Sequence, residues 1–340
     1  MVEAKVRTAC GRTGYGNRCR DGGIREAGVP AAGSGSGGVP RRGAAMSEGI
    51  ALLLNVLSQV AVLALVALGL AIVFGMMDIV NLAHGEFVTL GAFTLAVLQG
   101  AGGAQAYWLA LVIAPIVGAV AGLALEASVI RFLYHRTLDT LLATYAVSLI
   151  IQKLLEIGFG KHPQMVYTPL AGSVSVLGAS YPSYRLFVIV ASIVVIAACA
   201  LAFTRTRFGL HLRAVIQNPS MSSALGIDTR HMNRLAFACG AALAAFAGVL
   251  VAPLVSVESH LGMAYLGKAF FVIVVGGIGS VLGAVTGSVL IGSTETLLNY
   301  HIDPSMASAV VLLLAIVVIR LRPRGLVPGF SAAHQLLGKG

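Results

Sequence analysis

An all-α polytopic membrane bundle, with about eight transmembrane helices, is the fold class this sequence predicts. Three observations carry the prediction. Of 340 residues, 57% are hydrophobic and only 11% charged, against roughly a quarter charged in ordinary soluble domains. Mean hydropathy is +0.90. Apolar runs long enough for the roughly 20 residues that a hydrocarbon core requires recur along the chain, and arginines gather in the breaks between them, above all from Arg205 to Arg234.

The basic excess, 23 Lys and Arg against 13 Asp and Glu, raises the question of a nucleic-acid partner. Its distribution answers no: residues 1–45 hold 8 basic and 3 acidic residues, and the rest of the excess lies mostly in loops expected on the cytoplasmic side. Cys10, Cys19, Cys199 and Cys239 have neither disulfide-framework nor metal-ligand spacing, so no cofactor or metal is expected. Residues 1–45, rich in Gly, Ala and Arg, are too polar for a span or a signal-peptide core. They read either as a disordered cytoplasmic tail or as sequence ahead of a start at Met46. Counting spans back from the arginine-rich loop puts the N-terminus outside, and a tail with eight basic residues resists translocation, which favours Met46. The domain plan is then 1–45 as tail or mis-assigned start, 46–326 as membrane domain and 327–340 as a short cytoplasmic tail.

The first span runs from about Ile50 to Met76. Asp78, Asn81, His84 and Glu86 follow within nine residues, with Asn81 placed to cap the next helix. Ionisable groups at the edge of a span are expensive unless they face water or one another. They mark either a translocation pathway or two helix caps at an interface. The second span, about Phe87–Leu98, is short, and Tyr107 and Trp108 after it read as an aromatic belt in an outer loop. Leu109–Ile130 returns inward carrying Glu126. Asp139 is placed to cap the next span, which ends near Ile157. Residues 158–184 form the largest outer loop, and Arg185–Thr204 and Met232–Leu254 flank the arginine-rich loop. In the latter span Gly240, Ala244 and Gly248 recur every four residues, which allows close helix packing.

Within the arginine-rich loop, Asn218 is a good N-cap and Pro219 sits at the favoured first helical position. Met221, Ala224, Leu225 and Ile227 are apolar, and Gly226 is placed to end the turn. This predicts a helix of about two turns outside the hydrocarbon layer. It serves either to dock a soluble partner or as an ordinary interfacial helix. Farther on, Ala269–Val275 is too short to span before Gly276, Gly277 and Gly279, and another run, Val281–Leu298, follows. A re-entrant or broken helix near 269–298 is expected, either as pathway wall or as a glycine-rich packing contact. The last span, Met306–Ile319, ends at Arg320, Arg322 and Arg324, which anchor the C-terminus inside.

Chemistry-bearing motifs are otherwise missing. Gly262–Ala269, GMAYLGKA, nearly matches a phosphate-binding loop, but Ala269 stands where magnesium needs Ser or Thr and no strand precedes it. No zinc-protease motif and no paired intramembrane aspartates are present, so the chain is not expected to be an enzyme.

From Met46 onward the sequence resembles the integral membrane permeases of branched-chain amino acid ABC importers. The resemblance rests on GLAIVFGMMDIVNLAHGEFVTLGAF (Gly69–Phe93), the block from Thr206 to Leu250, VIVVGGIGSVLGAVTGSVLIG (Val272–Gly292) and RPRGL (Arg322–Leu326). It implies a multi-chain importer in the bacterial inner membrane: this permease, a second related permease, two ATP-hydrolysing subunits and a periplasmic substrate-binding protein. Asn218–Ile227 would be the coupling helix seated on an ATPase subunit. Relatives carry branched-chain amino acids, other amino acids, or urea and short amides. The competing reading is an independent ion-coupled carrier using Asp78, His84, Glu86, Glu126 or Glu295, which has little need of a capped loop helix.

Overall fold

The computed structural model describes residues 41–77, 81–133, 136–176, 179–277, 279–322 and 325–327. Asp78, Arg324 and the segments 1–40 and 328–340 therefore lie outside the described residues. The chain is helical throughout its apolar length: α1 (Arg41–Met77), α2 (His84–Gly102), α3 (Ala106–Ser128), α4 (Thr137–Phe159), α5 (Ser183–Arg205), α6 (Arg207–Gln217), α7 (Pro219–Ala224), α8 (Thr229–Val251), α9 (Leu261–Gly276), α10 (Val281–His301) and α11 (Pro304–Leu321). Among the described residues, seven of these are long and apolar enough to cross a membrane. The 19-residue α2 and the 16-residue α9 join them in the bundle. The all-α polytopic class stands, and the chain is a multi-pass membrane protein.

α2 and α8 lie at the centre. Both are rich in Gly and Ala, and with no hydrophobic drive between helices in lipid, close backbone approach supplies the attraction. A Cβ on Gly91 of α2 would strike the Ala245 carbonyl of α8, and one on Gly248 would strike the Val88 carbonyl of α2. Gly69 of α1 faces Gly240 of α8 so closely that a Cβ on either would lie 2.7 Å from the other's carbonyl oxygen. The expected stripe of Gly240, Ala244 and Gly248 is thus a packing seam. Gly118 and Gly122 let α3 onto α8 as well, against Ala245 and Ala241.

One end of the bundle carries α6 and α7. The other carries a hairpin, β1 (Ser173–Val176) and β2 (Ala179–Pro182), paired antiparallel. At this hairpin end Gln99 bonds both the amide and the carbonyl of Tyr167, and Gln164 bridges to Val257.

Three local expectations change. Tyr107 is fully buried and is no interfacial belt residue: its hydroxyl meets that of Tyr184 at 3.1 Å, and Tyr184 donates to the Leu250 carbonyl at 2.9 Å. Trp108 remains half-exposed. Asp139 lies inside the first turn of α4, ion-paired at 3.6 Å with Arg136, which holds the cap position. Ala83 takes the cap position of α2 in place of Asn81.

Candidate translocation and coupling site

The polar block after α1 turns back into the bundle. Asn81, nearly fully buried, accepts the Ala83 amide on Oδ1 at 3.0 Å, closing a turn just ahead of α2. His84 and Glu86, in the first turn of α2, have no exposed surface. The His84 ring stands edge-on to Phe87, with centroids 6.0 Å apart, and occupies space that a side chain on Gly69 would crowd. Glu86 reaches across to α4, where Oε1 accepts hydrogen bonds from Ser148 Oγ at 2.8 Å and Gln152 Nε2 at 2.7 Å. Its Oε2 is buried without a hydrogen bond. Thr144, one turn earlier, accepts the Leu82 amide at 3.2 Å.

Sequence reasoning missed the α4 partners, although a signal existed. Thr140, Thr144, Ser148 and Gln152 recur every four residues in a mostly apolar helix, and all four are buried. That spacing places them on one helix face.

Gly276, Gly277 and Gly279 form the turn between α9 and α10. Gly277 has φ 116° and Gly279 φ 73°, a left-handed backbone that favours glycine. A Cβ on Gly276 would collide with the Gly283 carbonyl, and one on Gly287 with that of Val272, so α9 and α10 press together as an antiparallel pair. The break expected near 269–298 is this turn, with Ser280 capping α10 by accepting the Gly283 amide at 3.1 Å. After α11 the chain returns to it: the Leu326 and Val327 amides donate to the carbonyls of Val275 and Gly276. A cavity of about 270 Å³ opens beside the turn, bounded by Leu68 and Ile72 of α1, Phe203 of α5, Arg213 and Ile216 of α6, and Gly279. Of the residues expected along a pathway, Gly279 touches it.

The capped loop helix is present as expected. Asn218 ends α6 and caps α7, its Oδ1 accepting the Met221 amide at 2.9 Å, with Pro219 in the first turn. Gly226 closes the turn at φ 86°, and the Ile227 amide bonds Ser222 O at 3.0 Å. Asp228 then caps α8 through the His231 amide at 3.0 Å, which holds its carboxyl below the ordinary 3.8. Met221, Ala224 and Leu225 all face outward. The flank between Arg205 and Asn218 is also structured: α6 is amphipathic, capped by Thr206 through the Gly209 amide at 3.1 Å. It buries Leu212 and Val215 against Leu68, Ile72 and Met232.

The other candidate carboxylates are paired. Glu126 accepts from Arg234 at 3.1 Å, and Glu295 from Lys268 at 2.5 Å. Lys268, the lysine of the apparent phosphate loop, lies mid-helix.

Residues 52–319 match the family model described as the branched-chain amino acid transport system permease component. The chain belongs to this family. The permease is 29% identical over 278 residues to the high-affinity branched-chain amino acid transport system permease protein LivH of Salmonella typhimurium, covering 77% of this chain and 90% of that one. It is 29% identical over 289 residues to the corresponding permease protein BraD of Pseudomonas aeruginosa, covering 81% and 94%. To LivM of Escherichia coli it is 26% identical over 288 residues, covering 78% and 67%. No solved structure matches. The permease is a transport component and not an enzyme.

Proposed function

We propose that the permease moves branched-chain or closely related aliphatic amino acids through the bacterial inner membrane, driven by two separate ATPase subunits. A second related permease completes the membrane part, and a periplasmic binding protein delivers the solute. In this reading the end bearing α6, α7 and the close of α11 is cytoplasmic, in keeping with Arg205, Arg207, Arg213, Arg230, Arg234 and Arg320 lying there. The family's role in branched-chain amino acid transport and the LivH and BraD relatives support the substrate class. An apolar cavity wall suits an aliphatic side chain better than urea.

The observation that carries the mechanism is the unit from Thr206 to Asp228. α6 and α7 share Asn218, so they move together. Met221 and Leu225 offer an apolar knob to a soluble partner, and the half of α6 that adjoins Asn218 walls the cavity at Arg213 and Ile216. An ATPase that grips α7 differently before and after hydrolysis therefore shifts the cavity wall. Only such a difference in contacts can drive the alternation between outward and inward openings. The turn at Gly276, Gly277 and Gly279 borders the inner end of the route. The stretch from Asn81 to Glu86, preceded in sequence by Asp78, is tied to α4 through the Leu82 amide and Glu86, with His84 buried against α1.

Gly226→Pro and Ala224→Asp test the coupling assignment. Both are expected to insert in the membrane and to abolish ATP-driven leucine uptake in vesicles holding all partners. Pro cannot adopt φ 86°, and a carboxylate at Ala224 breaks the apolar contact. Uptake at the wild-type rate in both variants overturns it.

A further inference from the structure

At the hairpin end a second, smaller cavity of about 120 Å³ lies between the outer part of α1, the start of α5 and the start of α9. It is bordered by Arg185, Asn55, Ser58, Gln59 and Tyr265, with Val62 and Leu254 among its apolar walls. We propose that it is a carboxylate-binding subsite, in which Arg185, steadied by Asn55, holds the α-carboxylate of the amino acid being moved. The identity of the ligand rests on the substrate class proposed above.

Arg185 is the reason. A guanidinium has five N–H donors in a planar fork. Among the described residues Arg185 donates to Asn55 Oδ1 at 2.5 Å, the Tyr181 hydroxyl lies against it, and no carboxylate lies within 4.0 Å of it. Asn55 Oδ1 also accepts from the Tyr181 hydroxyl at 3.0 Å, so its carbonyl is fixed from two sides and fixes Arg185 in turn. Glu295, which acts electrostatically on Tyr265, is already neutralised by Lys268 and does not balance Arg185. A cation left without a counterion at the edge of a low-dielectric bundle is costly. A carboxylate presented to its fork makes a short, charge-assisted and often two-pronged bond.

The remaining lining fits the same ligand. Ser58 and Gln59 make no side-chain hydrogen bonds among the described residues. Arg185 lies in the first turn of the 23-residue α5, whose N-terminal dipole adds to the attraction for an anion. The volume holds about four waters at their liquid volume of roughly 30 Å³. That suffices for a carboxylate and the carbon bearing it, not for a whole large ligand, so the side chain must extend along Val62 and Leu254. The chemistry reads the end that all amino acids share. It does not choose among side chains.

The test uses the complete transporter with its partners in lipid nanodiscs, the arginines labelled with 15N. Carboxyl-13C acetate and carboxyl-13C leucine are added separately, and solid-state NMR reads guanidinium-to-carboxylate contact. Contact with both is expected in the wild type, with loss in R185Q and a several-fold weaker signal in R185K, which keeps the charge without the fork. Leucine kcat/KM is expected to fall by about tenfold or more in R185Q, as when a charged hydrogen-bond partner is removed. Should R185Q fail to assemble, R185K carries both readings. Absence of any contact, with wild-type leucine uptake in R185Q, overturns the subsite. Contact from lipid phosphorus in its place also overturns it, in favour of a headgroup seat. Acetate contact in a wild-type complex that transports no leucine upholds the anion site and overturns the substrate class.

Discussion

Glu86 shows how a buried carboxyl acts as a fastener. One oxygen collects Ser148 and Gln152 of α4, so removing Glu86 strands two donors in apolar surroundings. Glu86→Ala and Gln152→Ala, alone and together, are expected to couple by about 0.6 kcal/mol, the average for hydrogen bonds between membrane helices, and by no more than about 1.7 kcal/mol. Strict additivity in reversible unfolding from bicelles rules the fastener out. Glu86 was legible in sequence as an anomaly, because an acid inside an apolar stretch stands out. Its partners were harder to see because Ser and Thr are tolerated in membrane helices through bonds to their own preceding turn, as Thr94 does with Leu90. Arg185 was read only as the start of a span. That no acid faces it among the described residues is a fact about distant parts of the chain.

Among the elements, α7 is the one whose ends were written most plainly. Asn218, Pro219 and Gly226 each serve a local requirement: a side-chain acceptor, a fixed φ and a left-handed turn. Asn218→Ala is expected to weaken α7 by about 1 kcal/mol, accelerating amide exchange at Met221 and Ser222 roughly fivefold. Unchanged exchange there would mean that packing, not the cap, holds the helix. Gly276, Gly277 and Gly279 marked the α9–α10 break equally well. The choice between pathway wall and packing contact was open, because a glycine looks the same whether a ligand or a backbone approaches it. The structure puts Gly276 against Gly283 and leaves Gly279 on the cavity. α6 was read only as a charged flank, since its apolar residues, Leu212 and Val215 among them, are few and sit between arginines.

For the whole molecule, the fold predicts dependence on partners. Neither Glu126 nor Glu295 is a spare carboxylate awaiting an ion, since each is held by a basic side chain. Vesicles containing this chain alone are expected to take up neither leucine nor urea under a proton or sodium gradient, whereas adding the second permease, both ATPases, the binding protein and ATP restores leucine uptake. Gradient-driven uptake by the chain alone would make it a secondary carrier.

The all-α membrane class, most of the spans, the capped loop helix and the family were written in the chain itself. Each depends on composition or on residues within a turn or two of one another, as with the apolar length of α1 or the cap of α7. Which helices touch was not. The α2–α8 seam through Gly91 and Gly248, the bonds from Glu86 to α4, and the meeting of Arg185 with Asn55 join residues from about 60 to more than 150 positions apart. Such contacts form only when helices choose one packing among many of similar polarity, and in a bilayer that choice turns on small residues and scarce polar groups. The pattern of hydrophobicity is nearly blind to both.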